Sequence, residues 1–223
     1  MIEAVRNKVL ELLENENSGH GMEHIDRVVR LTKEFSLHEG ANSDIATLIA
    51  LLHDVDDYKL FGMESAKNLS NANRILDECN ILLDIKKQVI DELSCIGYSK
   101  SLKGIRPSTL EGMIVSDADM CDGIGATGIL RSYQYNIKHG NLFFDREWFP
   151  DLNMDYQQYT NKKTGTVVNH MFEKLLKLKD LMLTESGRKE AQERHNLMLT
   201  FLYQFFKEEN ALDWIKYLDD YVK

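Results

Sequence analysis

Histidines and carboxylates gather in three places along the 223 residues. The first is "SGHGMEHIDRVVRL", residues 18–31, where His20 and His24 stand four apart with Glu23 beside the second. Alone, this spacing matches H-x-x-E-H, the inverted zinc-protease motif. That reading takes both histidines as ligands and Glu23 as the base, requires a distant third ligand, and leaves the other two clusters idle. On a helix, His24 falls at the edge of the apolar stripe formed by Val28, Thr32 and Phe35, half-buried, while His20 and Arg27 share the adjoining polar flank.

The second cluster is His53-Asp54-Val55-Asp56-Asp57, directly after the apolar run Ile45–Leu52. Three carboxylates at a helix C-terminus oppose its dipole, by roughly 0.3–1 kcal/mol each when exposed. They also raise one another's pKa. A bound divalent cation would remove both penalties; the plain alternative is a solvated acidic helix end. The third cluster is "VSDADMCDGIGATGI", residues 115–129, which holds Asp117, Asp119 and Asp122. Asp119 and Asp122 are three apart and share a helix face. Gly123, Gly125 and Gly128 spell G-x-G-x-x-G, but the dinucleotide fingerprint needs a preceding strand and an anion-friendly turn. Here three aspartates stand where a pyrophosphate would lie, so the glycines are read, with Ala126, as places where another helix approaches closely.

The elements that must position these groups are helices. Val5, Val9, Leu12 and Leu13 repeat at a helical period over residues 2–16, and Ser18 can cap the next helix, whose stripe includes Ile25, Val28 and Phe35. Asn42, Ser43 and Asp44 are capping residues ahead of a run apolar on every side, which predicts a central, buried helix. Further helices are expected at 62–79 and 82–95. Ser108 and Glu111 fit a capping box opening a helix through about Tyr135. Helical periods return at 167–183, 186–207 and 210–222. Between them, about 139–166, Gly140, Asn141, Pro150, Asn153, Asn161 and Gly165 break the pattern. A long loop or lid is expected there, with Phe143, Phe144, Trp148 and Phe149 seeking to pack. The fold class predicted is all-α, in a single domain over residues 1–223, its motif-bearing core at about 18–135 with C-terminal helices at about 167–222 packing onto it.

Composition agrees with this class. Hydrophobic residues make up 43% and charged residues 28%, with only two prolines, Pro107 and Pro150. A formal charge of −9 repels polyanions and argues against bulk nucleic-acid binding, though not against one phosphorylated small molecule in a locally basic site. Cys79, Cys95 and Cys121 form no C-x-x-C pair and are read as reduced core thiols of a cytoplasmic protein. The acidic amphipathic N-terminus has no apolar h-region, so neither a signal peptide nor a membrane span is expected.

Together, His24 in "HIDRV", His53-Asp54 and Asp119 in "DADMCD" resemble the H…HD…D signature of the HD-domain metal-dependent phosphohydrolases. The longer blocks "GHGMEHIDRVVRL", "LLHDVDDYKLFG", "VSDADMCDGIGATGI" and "HMFEKLLKLKDLMLTESGRKEAQERH" resemble the small bacterial branch associated with nucleoside-triphosphate pyrophosphatase activity. The resemblance runs from about residue 18 to 207. It implies an HD-type helical bundle in which His24, His53, Asp54 and Asp119 are metal ligands. Asp57 falls where related enzymes carry an acidic residue needed for catalysis, and Lys59 matches a basic position of the branch. Two relatives are disfavoured. The guanosine tetraphosphate hydrolases carry Glu-Asp where Asp57-Tyr58 stands here, and the cyclic dinucleotide phosphodiesterases need a Gly-Tyr-Pro block that "IGYSK" lacks. With this reading one histidine of the opening motif, His24, serves a different site, and Glu23 becomes a solvated face.

Two histidines and two aspartates suit one octahedral divalent ion, Mn²⁺ first, with Mg²⁺, Fe²⁺, Co²⁺ or Ni²⁺ as alternatives. Asp57 would accept or orient the proton of an attacking water. Lys59, Arg27, His20 and Lys174 are the candidate contacts to substrate phosphates, with Lys177 beside Lys174 on the same predicted helix. The function expected is hydrolysis of a small nucleotide, a nucleoside triphosphate giving monophosphate and pyrophosphate. The alternative in the same class is a nucleotide phosphomonoesterase of the 5'-nucleotidase type. A non-catalytic nucleotide-sensing helical module is the alternative of a different class.

Overall fold

The computed structural model describes residues 1–14, 21–154, 157 and 165–223. His20, Ser18 and the segments 155–156 and 158–164 of the expected loop lie outside them. Among the described residues there are twelve α-helices, one 3₁₀ helix and no strand, so the all-α class holds. The chain divides into two compact units, Met1–Asp122 with Met182–Arg188, and Gly123–Leu181 with Lys189–Lys223.

The first unit is built around α3 (Ser43–Leu52), which packs against α1 (Ile2–Leu13), α2 (Met22–Glu39), α6 (Leu83–Leu93) and α8 (Leu110–Asp122). Every residue from Ala46 to Leu52 is buried, as a helix apolar on all sides requires. Asn42 starts α3 by accepting the Asp44 and Ile45 amides on its side chain. Its neighbour α2 opens at Met22 with Gly21 as N-cap and ends at Gly40, whose φ of 74° places it in the left-handed region a side chain resists. α8 packs against both α2 and α3.

The expected helix at 62–79 is two: α4 (Tyr58–Asn68), kinked at Gly62, and α5 (Ser70–Glu78), separated by Leu69 at φ 49°. After α6 a single turn, α7 (Tyr98–Ser101), precedes α8. The expected helix through Tyr135 is also two, α8 and α9 (Gly125–Lys138), broken where Gly125 turns to φ 76°. Its predicted capping box is replaced by another device. Thr109 Oγ1 accepts the Gly112 amide, whereas Ser108 donates its amide and hydroxyl to Glu92, and Glu111 accepts the Asn42 amide. Glu92 is buried and also accepts the Thr109 amide, so a carboxylate from α6 satisfies the free N–H groups at the start of α8.

The second unit contains α9, α10 (Val167–Glu173), a 3₁₀ helix (Leu175–Leu181), most of α11 (Glu185–Glu208), and α12 (Leu212–Val222). The single helix expected at 167–183 therefore tightens at Lys174 into 3₁₀ geometry. Phe143, Phe144 and Phe149 pack as expected. Phe144 and Phe149 lie 5.0 and 4.5 Å from the Trp214 ring, and Phe143 lies 5.0 Å from Phe205. Trp148 remains 41% exposed, and Phe149, though stacked on Trp214, is 44% exposed. Gly125 faces the Arg194 side chain of α11, the close helix approach expected, whereas Gly128 faces the Gly123 carbonyl of the turn before its own helix. All three cysteines are free, but only Cys121 is a core thiol; Cys79 and Cys95 are half-buried.

Candidate metal centre

Three packed helices of the first unit bring the clusters together: His24 from the first turn of α2, His53 and Asp54 from the end of α3, and Asp119 from the last turn of α8. His24 Nε2 lies 3.0 Å from His53 Nε2, 3.3 Å from Asp54 Oδ2 and 3.5 Å from Asp119 Oδ1. His53 Nε2 lies 3.6 Å from the same Asp54 oxygen and 3.7 Å from the same Asp119 oxygen. Both histidine side chains are 1% exposed, Asp54 is 14% and Asp119 26%. The site is therefore closed on its imidazole side and opens to solvent on its carboxylate side. His24 is fully buried rather than half-buried, because α8 covers the flank that a single-helix wheel leaves open.

The other ring nitrogens show which atoms are available. His24 Nδ1 donates to Asp122 Oδ2 at 2.7 Å, and His53 Nδ1 donates to the Ala50 carbonyl at 2.8 Å. A carboxylate and a carbonyl can only accept, so each Nδ1 carries a proton, and in the neutral ring that binds metals each Nε2 turns a lone pair inward. Two imidazole lone pairs and two carboxylate oxygens facing one point repel one another. The donor set and the separations fit a first-row divalent ion, for which neighbouring ligands at about 2.1 Å stand about 3 Å apart. His24, His53 and Asp119 form a mutually close trio, and Asp54 meets both imidazoles.

The acidic run after α3 separates into three tasks. Asp54 faces the histidines. Asp56 is buried and accepts the Ser65 hydroxyl together with the Asn71 and Ala72 amides, both at 2.9 Å, at the start of α5. Asp57 is the N-cap of α4, its Oδ1 accepting the Lys59 amide at 2.8 Å. Two of the three carboxylates thus sit at favourable helix N-termini, and the dipole penalty inferred for them from the sequence does not apply. The chain turns at residues 53–56, so α4 and α5 begin where the sequence pattern shows only the end of α3.

Of the expected phosphate contacts, Lys59 is exposed in the first turn of α4, its Nζ 5.9 Å from the Tyr58 ring. Arg27 is engaged by Asp122, Nε to Oδ1 at 2.6 Å and Nη2 to Oδ2 at 3.1 Å. That contact raises the Arg27 pKa, against the effect of burial. Lys174 is the C-cap of α10 in the second unit. Lys177 donates to the Leu152 carbonyl at 2.7 Å, and burial lowers its pKa. His20 lies outside the described residues. Glu23 is exposed, as expected of a solvated face. Asp122 was visible in the sequence only as a face-mate of Asp119; its contact with His24 was not.

Residues 21–124 match the family model for the HD domain. The YpgQ protein of Bacillus subtilis is 31% identical over 217 residues, covering 95% of each chain. The chain belongs to the HD-domain family. Among solved structures, a protein from Lactobacillus plantarum has a TM-score of 0.81 at 33% identity, covering 94% of this chain and 97% of that one. An HD-superfamily hydrolase from Bacillus thuringiensis has a TM-score of 0.72 at 34% identity, with the same coverage. The structure of YpgQ in complex with ADP has a TM-score of 0.69 at 29% identity over 93% of this chain and 97% of that one. The chain is an HD-type metal-dependent phosphohydrolase.

Proposed function

We propose that the protein hydrolyses a nucleoside triphosphate to the monophosphate and pyrophosphate, using one divalent ion, Mn²⁺ first among the candidates. The observation that carries the reading is the inward turn of His24 Nε2 and His53 Nε2 onto the Asp54 and Asp119 oxygens. Such an ion, when bound, polarises a phosphoryl oxygen and lowers the pKa of a water. The ADP complex of YpgQ supports a nucleotide as the ligand class.

The chain's own groups then divide the remaining work. One oxygen of Asp57 is occupied by the Lys59 amide, which fixes the carboxylate while its second oxygen takes a proton from the attacking water. Lys59 contributes charge to the non-attacked phosphates. His20 and Arg27 remain on the list of substrate contacts, Arg27 through the guanidinium edge it does not turn to Asp122. The burial of both imidazoles keeps solvent from the nitrogen side of the cluster.

The test is a screen of nucleoside tri-, di- and monophosphates with Mn²⁺-loaded protein, quenched with chelator and read by phosphorus NMR. Pyrophosphate plus monophosphate from the triphosphates is expected. Orthophosphate released from monophosphates alone would support the phosphomonoesterase, and no turnover of any nucleotide by metal-loaded protein would leave a nucleotide-sensing module.

A further inference from the structure

Asp122 belongs neither to the ligand set nor to the reacting groups, yet it is among the most buried carboxylates of the first unit, its side chain 1% exposed. It stands one helical turn from Asp119 on α8, so both reach the same face of the cluster from one rigid element. Its Oδ2 accepts a hydrogen bond from His24 Nδ1 at 2.7 Å. Arg27 grips both its oxygens from α2, the helix that carries His24. His24 and Arg27 are three apart on α2 and so project side by side onto one residue of α8.

We propose that Asp122 and Arg27 form a positioning pair that fixes the ring orientation and tautomer of His24, with Arg27 acting through Asp122. The inference rests on the reading of the cluster as a metal centre. Its physical basis is a charge balance. A buried carboxylate alone would be costly; the guanidinium neutralises it. Its bidentate geometry also fixes the plane of the carboxylate. Oδ2 is then aimed at Nδ1, and Nε2 has one direction left, toward His53, Asp54 and Asp119. His53 obtains the same constraint from its own helix, through the Ala50 carbonyl. The carbonyl three residues before His24, that of Gly21, accepts the His24 and Ile25 amides, and the acceptor that orients the His24 ring comes from another helix. Outer partners of this kind tune metal affinity by 10–100-fold in metalloproteins generally.

The experiment measures Mn²⁺ affinity by calorimetry and the visible spectrum of the Co²⁺-loaded protein, for wild type, Asp122→Asn, Arg27→Gln and Arg27→Lys. Asp122→Asn is expected to weaken Mn²⁺ binding about 10–100-fold and to change the Co²⁺ spectrum. Arg27→Gln is expected to weaken binding about threefold or more, with Arg27→Lys restoring only part of it, since an ammonium keeps the charge but not the bidentate grip. Circular dichroism checks that the helices persist. Should Asp122→Asn fail to fold, the Arg27 pair, at a half-exposed position, carries the test alone. Wild-type Mn²⁺ affinity in folded Asp122→Asn or in Arg27→Gln overturns the proposal. So does tighter binding in Arg27→Gln, which would show that Arg27 acts by charge alone, and so does a rise in KM with unchanged metal affinity, which would make Arg27 a substrate contact. Wild-type protein that binds no metal defeats the metal-centre reading itself, an outcome separate from all of these.

Discussion

At the residue scale, Asp57 separates structure from chemistry. Its Oδ1 caps α4 through the Lys59 amide, and asparagine caps a helix about as well as aspartate. Asp57→Asn should therefore leave folding and metal content unchanged. If the carboxylate takes the water's proton, kcat at saturating Mn²⁺ should fall about 10²–10⁴-fold, some 3–5 kcal/mol of barrier. A fully metallated variant retaining more than about a tenth of wild-type kcat would leave Asp57 as a cap only. The three clusters stood out in the sequence because few residue types bind metals; the choice of His24, His53, Asp54 and Asp119 within them came from the resemblance to HD-domain enzymes. Asp122 was legible only as a residue on the same face as Asp119. Nothing in a one-dimensional pattern says that His24 of α2 lies across from it. The dipole penalty read for Asp56 and Asp57 failed because a run of acids at the end of one helix does not reveal that Asp57 caps α4 and that Asp56 receives the first amides of α5.

At the element scale, the helices carried strong periodic signals, and their interruptions did not. Gly125, Leu69 and the 3₁₀ turn after Lys174 split what periodicity joins, since an apolar stripe continues across a break that keeps its face. The start of α8 offers a direct test of the observed capping. A Cβ at Gly112 would stand 1.9 Å from Glu92 Oε2 and 2.9 Å from Pro107 Cβ. Gly112→Ala should destabilise the fold by about 1–3 kcal/mol, despite alanine's better helix propensity, read as a lowered denaturation midpoint. A second element-scale test lies in α11. His195 is buried, its Nδ1 is among the buried atoms without a hydrogen bond, and burial with Lys179 nearby lowers its pKa despite Asp180 and the Leu176 backbone. The folded state thus binds the proton less readily than the unfolded chain. Its contribution to stability is full above the unfolded value of about 6.5 and is lost as pH falls toward the lower folded value. Replacing His195 with Gln should flatten the decline in stability below neutral pH, measured by chemical denaturation in chelator; an unchanged slope would contradict this.

At the scale of the whole molecule, a metal held by the four proposed ligands, drawn from three helices, would be a partner in folding of the first unit. Free Mn²⁺ at a hundredfold its Kd should stabilise that unit by about 2.7 kcal/mol, visible as a rise in Tm that chelator reverses. No described helix is long and apolar enough to cross a membrane. With a formal charge of −9, a nucleotide substrate would be attracted by local cations and a bound ion rather than by the molecule's net field. The most direct measurement of the central claim is calorimetric titration of Mn²⁺ into metal-stripped wild type and His53→Ala. One saturable site per chain, lost in His53→Ala while its helices persist, is the predicted result. No saturable binding to wild type, or equal binding by the variant, would contradict the metal centre.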